Sequence, residues 1–392
     1  MNRILYIYIS ILVVLLTLPS CNDGKELPQI DILKSDGFSW DIKQECTIIY
    51  NDGVGSVEMP AEIKYRGGHS ARYDKHSFSL ELIKKYQLAG LPKDDDWILN
   101  ANYIDKTFMR HKISYDLYHD MHENNLSAAS DYVNIMINGE AQGLYLITEK
   151  INGGQLKLNK KDSLAMIFKD PPFLFESRIP NPQDTNNYYQ QKFPKINKID
   201  QTEYIEKFRS LLFDSSIEEF SAKIGDWIDV ENVIDWHLLL LYSYNADGIM
   251  KNFYLYKLDS KTPFRIAIWD YDHSFGRDGD NELNMMERSM RMERSILFNR
   301  LLESEDLDYK NRLKQRWAEI RSNGLFSEEY MMNKMKIIDS KINKSVQTNA
   351  KIWPLNSKWY YDDNSYEKEK ELFLEFVKLR LEVLDEEFKY SK

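Results

Sequence analysis

Cysteine is almost absent from this chain, which has two, Cys21 and Cys46. No Cys/His ligand spacing is present, so a structural zinc module is excluded. Long apolar runs are missing as well. The one sustained stretch, Ile4 to Leu18, is broken by Ser10 and Thr17 and falls short of the about 20 residues that a membrane-spanning helix needs. No internal repeat and no low-complexity segment occurs, which excludes solenoids and fibrous arrays. Positive charge is in deficit: 52 Lys+Arg face 62 Asp+Glu, for a net charge of −10. That balance argues against nucleic acid as the main ligand, because a phosphate backbone needs a basic face. A local basic pocket for phosphates remains compatible with it. What is present is an ordinary globular composition, 43 % apolar and 13 % aromatic, which excludes an intrinsically disordered chain. The 392 residues suit one large domain or two to three smaller ones.

The first twenty residues read as an export signal: Arg3 precedes a short apolar core. Leu18-Pro19-Ser20-Cys21 resembles a bacterial lipobox, in which the cysteine is acylated and becomes the new N-terminus. This predicts a signal peptide over 1–20, a tether over 21–29 and a folded domain over 30–392. The protein would then be held in the cell envelope by a lipid on Cys21. Cys46 would have no intramolecular partner, so no disulfide would staple the fold.

From Ile30 to Leu88 apolar and polar residues often alternate, and Thr47–Tyr50, Glu58–Tyr65 and Phe78–Leu82 read as strands. Gly53, Gly55, Gly67 and Gly68 mark turns between them. Met109, Ile113, Leu117 and Met121 recur every fourth residue and predict a helix over about 106–122. Tyr132–Ile137 and Gly143–Ile147 flank Asn138-Gly139, a hairpin signal. Residues 170–198 read as a long loop, and 227–245 as a helix. Phe253–Tyr256 and Phe264–Trp269 form a second strand pair, and 296–392 is mostly helical. In the last helix Leu372, Phe376, Leu379 and Val383 trace the expected buried stripe. The order predicts an α+β protein of two lobes, strand-rich over about 30–170 and helix-rich over about 200–392, with a cleft between them.

The densest chemistry lies between Asn245 and Gly276. Asp247 and Asn252 follow an apolar helix and precede a strand, and Asp270 and Asp272 end the next strand. A hairpin would fold Asp270 back beside Asn252. One carboxylate could then orient or deprotonate a hydroxyl, while an amide and a second carboxylate held Mg²⁺ through hard oxygen ligands. Phosphoryl transfer needs these parts, and protein kinases supply them as Asp-x4-Asn followed by Asp-Phe-Gly. Taken alone, the residues also fit backbone-bonded turns, which Asp and Asn favour. A calcium loop fits less well, because Phe275 stands where the loop needs glycine and Asn281 where it needs glutamate.

The blocks together resemble the CotH kinase family, atypical protein kinases related to spore-coat protein H. The resemblance is carried by Arg66-Gly67-Gly68-His69-Ser70 with Lys75-His76-Ser77-Phe78, by Thr107-Phe108-Met109-Arg110, and by Asn138-Gly139 running to Leu144-Tyr145-Leu146-Ile147-Thr148-Glu149. Asn245-Ala246-Asp247 with Asn252-Phe253-Tyr254 and Trp269-Asp270-Tyr271-Asp272 complete it, and Phe373 to Arg380 resembles the closing helix. The resemblance implies a reduced protein-kinase-like fold with ATP and Mg²⁺ between the lobes. It implies Asp247 as catalytic base, Asn252 and Asp270 as metal ligands, Lys75 on the α- and β-phosphates, and Glu149 near the adenine. Arg66, beside two glycines, would position phosphate or serve a surface ion pair, and Arg110 would face the cleft. Lys169-Asp170 also matches a family position, without a role attached. His69, His76 and His273 read as local hydrogen-bonding residues rather than bases. The implied substrate is Ser/Thr of an exported protein. The alternative is a catalytically silent surface lipoprotein whose scaffold binds glycan or polypeptide. Departures from ordinary kinases are plain. There is no Gly-x-Gly-x-x-Gly loop, Asn245-Ala246 replaces His-Arg before the base, and no glutamate partner for Lys75 is evident.

Overall fold

The computed structural model describes residues 26–174, 187–277, 290–355 and 362–391. Cys21 lies outside them. The strand-rich part starts with β1 (Gln29–Leu33), β2 (Gln44–Asn51), β3 (Ser56–Arg66), β4 (Ser77–Tyr86) and β5 (Asp94–Asn100). Helix α1 (Arg110–Met121) follows, and then β6 (Ser130–Ile137) and β7 (Glu140–Glu149). Each strand pairs antiparallel with its neighbour in the order β1-β2-β3-β4-β5-β7-β6, and β6 returns parallel to β1. Among the described residues this is a closed seven-stranded barrel. Alternating side chains fill it, with Ile30, Ile32, Ile48, Ile63, Leu80 and Trp97 inside and water-facing residues between.

The expected two-lobed, protein-kinase-like fold is overturned by this closure. An open N-lobe sheet would leave β1 and β6 as edges, but Gln29 to Ile32 register with Asn134 to Ile137. Strand alternation reports which face of a strand is buried. It carries no information on whether the first strand meets the sixth, some 100 residues later. Among the described residues the protein instead combines a closed seven-stranded barrel with a second sheet and eight α-helices.

The second sheet joins β8 (Met166–Lys169), β9 (Gln191–Phe193), β10 (Phe253–Lys257) and β11 (Arg265–Ile268) in the order β11-β10-β8-β9. Thus β8 pairs with β10 rather than with the barrel, and β9 lies within the stretch read as a loop. The helices α2 (Thr202–Phe213), α3 (Ile217–Trp227), α4 (Val230–Ser243), α5 (Ile296–Glu303), α6 (Tyr309–Ser322), α7 (Glu328–Ile352) and α8 (Tyr366–Glu387) complete this part. Helix α4 is apolar on nearly every side because it is the central rod of the core, packed against α1, α6, α8 and β11. Asp229 caps its start by accepting from the Asn232 N–H, and Tyr244 ends it with φ of 55°. No helix of the described residues is long and apolar enough to cross a membrane. Cys46 is a half-buried free thiol on β2.

Helix α8 corrects one detail of the sequence reading. Phe376 is buried as expected, but Leu379 and Val383 are exposed, and the stripe runs through Phe373, Val377, Leu381 and Leu384. Phe373 stacks on Phe275 with centroids 4.8 Å apart. Beside it, Gly276 has φ of 84°, and a Cβ there would sit 3.1 Å from Phe376, so only glycine combines that turn with that contact. Phe373→Ala is therefore expected to cost about 3–5 kcal/mol, and Leu379→Ala less than about 0.5 kcal/mol. Urea unfolding of both variants checks this, and equal losses would contradict the observed stripe.

Candidate functional site

Three strand ends meet at one edge of the second sheet. Asp170 leaves β8, Asn252 precedes β10, and Asp270 follows β11 after Trp269. Register brings them together: Tyr254 faces Lys169, and Phe253 faces Ile268. The hairpin expected from sequence therefore does place Asp270 beside Asn252. The Trp269 N–H donates to Asn252 O at 2.9 Å, and the Phe253 N–H donates to Asp170 Oδ1 at 3.0 Å. All three residues have left-handed backbones, with φ of 50° at Asp170, 68° at Asn252 and 61° at Asp270. Asp and Asn tolerate that region better than other side chains, yet each such turn still carries strain that the surroundings must hold. All three of these oxygen-bearing residues line one cavity.

Asp247 approaches from α4. The left-handed cap at Tyr244 turns the chain, Asn245 Oδ1 accepts from the Gly248 N–H at 3.0 Å, and Asp247 opens a short 3₁₀ turn. Its carboxylate pairs with Lys251 Nζ at 2.8 Å, with both side chains open to solvent. Asp170, Asp247, Asn252, Asp270 and Asp272 all line a cavity of 720 Å³ between the barrel and the second sheet. The barrel side supplies Trp40, Arg66, Gly67, Gly68 and Asn100.

Helix α1 holds Asp270 from behind. His111 Nε2 lies 3.1 Å from Asp270 Oδ1, and one turn later the Tyr115 hydroxyl accepts the Asp270 N–H at 3.1 Å. The Asp270 side chain, which lines the cavity, is 47 % accessible, while that of His111 is 1 % accessible. Burial pushes the Asp270 carboxyl up, but the His111 hydrogen bond and charge, with Arg66 and His273, hold it down to about 2. Asp272 goes the other way, raised by burial and by the nearby Asp270 charge. Burial lowers the His111 imidazole, and the bond to Asp270 with the surrounding carboxylates more than reverses that. Ligand atoms of His111, Asp270 and Asp272 lie within 4.8 Å of one another. The oxygen set of Asp270, Asn252, Asp170 and Asp272 is what a hard divalent cation takes.

The start of α1 is fixed by a fully buried carboxylate. Asp105 accepts the Thr107 N–H at 3.0 Å, the Thr107 hydroxyl at 2.6 Å, the Arg110 N–H at 2.9 Å and Arg110 Nη1 at 2.5 Å. It thus supplies the negative charge that the helix N-terminus favours, so an arginine is tolerated in the first turn. Arg110 Nε donates to Ser274 O at 2.8 Å. Glu369 of α8 pairs with Arg277, and Asp362 with Lys106 and Arg277. The loop that carries Asp270 and Asp272 is therefore tied to both α1 and α8.

The residues expected from sequence divide accordingly. Asp247, Asn252, Asp270 and Arg66 face the cavity, and Arg66 lies over Trp269 with Cζ 5.4 Å from the ring centroid. Lys75 reaches the cavity wall, but its buried ammonium bonds to Ala101 O at 3.1 Å, to Asn349 Oδ1 of α7 at 2.9 Å and to Leu144 O. The partner that sequence could not supply is thus a neutral amide 274 residues away. Gly143 lets α7 approach this closely, since a Cβ there would meet Asn349 Oδ1 at 2.5 Å. Glu149 is buried away from the cavity, where it accepts the Ala129 N–H at 3.2 Å, and burial raises its carboxyl. Arg110 lies behind the cavity and does not line it. His111, Tyr115 and Asp105 escaped the sequence reading, and Asp170 was noted there only as a family position without a role. The i, i+4 spacing of His111 and Tyr115 beside the Thr107–Arg110 block was the available signal.

A barrel and a helix-packed second sheet frame a cavity lined by aspartates, an asparagine and an arginine, a donor set that could hold a divalent cation beside an anionic group. The CotH kinase protein family profile matches residues 63–384, and the chain belongs to that family. It is similar to the inner spore coat protein H of Bacillus subtilis (strain 168), with 23 % identity over 337 residues, covering 84 % of this chain and 88 % of that protein. The match includes every cavity residue named above except Trp40 and leaves Cys21 outside.

The Asp105 pair gives a pH prediction. Burial alone would raise this carboxyl, but the Arg110 charge and the bonds from Thr107 and Arg110 lower it. A depressed folded value stabilises the protein above the unfolded value, near 3.9, and this contribution is lost as pH falls through the folded value. Asp105→Asn is expected to cost about 3–5 kcal/mol at pH 7. The gap from wild type should shrink as pH drops below about 4. Urea midpoints between neutral and acid pH test this, and a gap independent of pH would contradict it.

Proposed function

We propose that the protein transfers the γ-phosphoryl group of ATP to a serine or threonine hydroxyl of an exported protein, in a Mg²⁺-dependent reaction. The observation that carries this reading is the convergence of Asp170, Asn252 and Asp270, three left-handed strand ends, opposite Asp247 in one cavity. Family membership agrees with it. Asp270, held ionised by its neighbours, and Asn252 would hold the cation, with Asp170 and Asp272 within reach as further oxygen donors. The cation, when bound, would neutralise charge on the transferring phosphates. Arg66 would offer a planar guanidinium to phosphate oxygens, and Gly67 and Gly68 would let backbone come close. Lys75, with its ammonium bound to three neutral oxygens, would brace that wall from behind.

Asp247 would accept the proton of the acceptor hydroxyl as its oxygen bonds to phosphorus and the bond to the ADP oxygen breaks. The Lys251 ammonium, 2.8 Å from the Asp247 carboxylate, would hold it in place. Anchorage through a lipid on Cys21 would put this reaction in the cell envelope.

Purified protein with Mg²⁺ and γ-labelled ATP is expected to label itself or a serine-rich protein. Asp247→Ala should lower the rate about 10²–10⁴-fold, and Asp270→Ala should abolish it. Millimolar ATP should raise the melting temperature of the wild type. Labelling that persists in both variants, or no thermal shift, would contradict the assignment.

A further inference from the structure

We infer that His111 is a positioning residue for the cation-binding carboxylate: its Nε2–H donates to Asp270 Oδ1 and fixes that carboxylate, and it is not itself a ligand. This deepens, and rests on, the phosphotransferase reading of the cavity. The geometry is direct. Nε2 lies 3.1 Å from Asp270 Oδ1, whereas the amide nitrogen of Asn100 is farther off at 3.5 Å. His111 and Tyr115 stand one turn apart on the same face of α1, with ring centroids 5.8 Å apart. They grip Asp270 at two points, the carboxylate by a donor and the backbone N–H by the Tyr115 hydroxyl. An aspartate at a left-handed strand end otherwise turns freely about its side-chain bonds, and the charge of Asp272 nearby pushes it away.

The second nitrogen decides between a donor and a ligand. His111 Nδ1 is buried and has no hydrogen-bond partner among the described residues. A proton on Nε2 is taken up by Asp270 Oδ1, 3.1 Å away, whichever form Nδ1 has. If Nε2 bound a cation, the bond to Asp270 would be lost, and the remaining proton would sit on Nδ1 without an acceptor among the described residues. Histidine ligands ordinarily give that N–H to a carboxylate or carbonyl, and none accepts from Nδ1 among the described residues. The imidazole therefore orients the oxygen that does the binding.

The test uses the full chain and Mn²⁺ alone, without nucleotide or acceptor, with free Mn²⁺ read by electron paramagnetic resonance. His111→Phe keeps a ring but no donor, and is expected to weaken Mn²⁺ binding about 10–100-fold. His111→Gln keeps an N–H near the Nε2 position and is expected to bind close to wild type. Wild-type affinity in His111→Phe, or equal weakening in both variants, overturns the inference. Should His111→Phe not fold, ¹⁵N resonances of wild-type His111 serve instead. An Nε2 that keeps its proton when Mg²⁺ is added supports positioning, and one that loses it is a ligand and overturns the inference. Asp270→Asn separates the two levels. If that variant binds Mn²⁺ as tightly as wild type, the cation reading of the cavity falls, and the role of His111 falls with it.

Discussion

The buried pair of Asp105 and Arg110 is the constraint on which the rest of the cavity depends. Asp105 is wholly inside, so its charge is tolerable only because four donors surround it. In satisfying it, the chain fixes the first turn of α1. That turn places Arg110 on the carbonyl of Ser274 and His111 on the carboxylate of Asp270. The loop after β11 is thereby held at a backbone angle it would not keep alone. Glu369 and Asp362 extend the same logic to α8 and the residues before it, through Arg277 and Lys106. Breaking one partner would leave a buried charge uncompensated, and the loss would reach the cavity through α1 rather than through any group that touches a ligand.

The acidity of the whole chain has a local counterpart. Four aspartates line the cavity, which is more carboxylate than an anionic ligand would accept by itself. Under the proposed function a divalent cation would resolve that conflict, because it would convert a repulsive wall into a bridge. The opposed shifts of Asp270 and Asp272 express the same crowding: one carboxylate takes the neighbouring positive groups and the other is pushed up. Arg66, on the barrel side, completes the balance.

Much of the site was legible in the sequence because its parts are local. Asp247, Asn252 and Asp270 sit at the ends of strongly apolar elements, and the short β10–β11 hairpin fixes two of them by register alone. What sequence did not carry was non-local. Closure of the barrel depends on β1 meeting β6, which no periodicity records. The partner of Lys75 is an amide on α7, contributed from the far end of the chain. Asp170 gains its place because β8 joins the second sheet, so a residue that looked like the start of a loop is a strand end beside Asn252. The stripe on α8 was misplaced because Leu379 and Val383 have the right spacing but the wrong face, and burial there is set by Phe275 and Gly276.

The central claim is that Asp270 and Asn252 hold a divalent cation against a nucleotide in the cavity between barrel and sheet. A crystal grown with Mn²⁺ and a non-hydrolysable ATP analogue tests it most directly, with the anomalous signal of manganese locating the ion. The account predicts an anomalous peak within bonding distance of Asp270 and Asn252 oxygens, with the analogue's phosphates between that peak and Arg66. Manganese and analogue bound elsewhere, with Asp270 still turned to His111 and nothing coordinated, would contradict it.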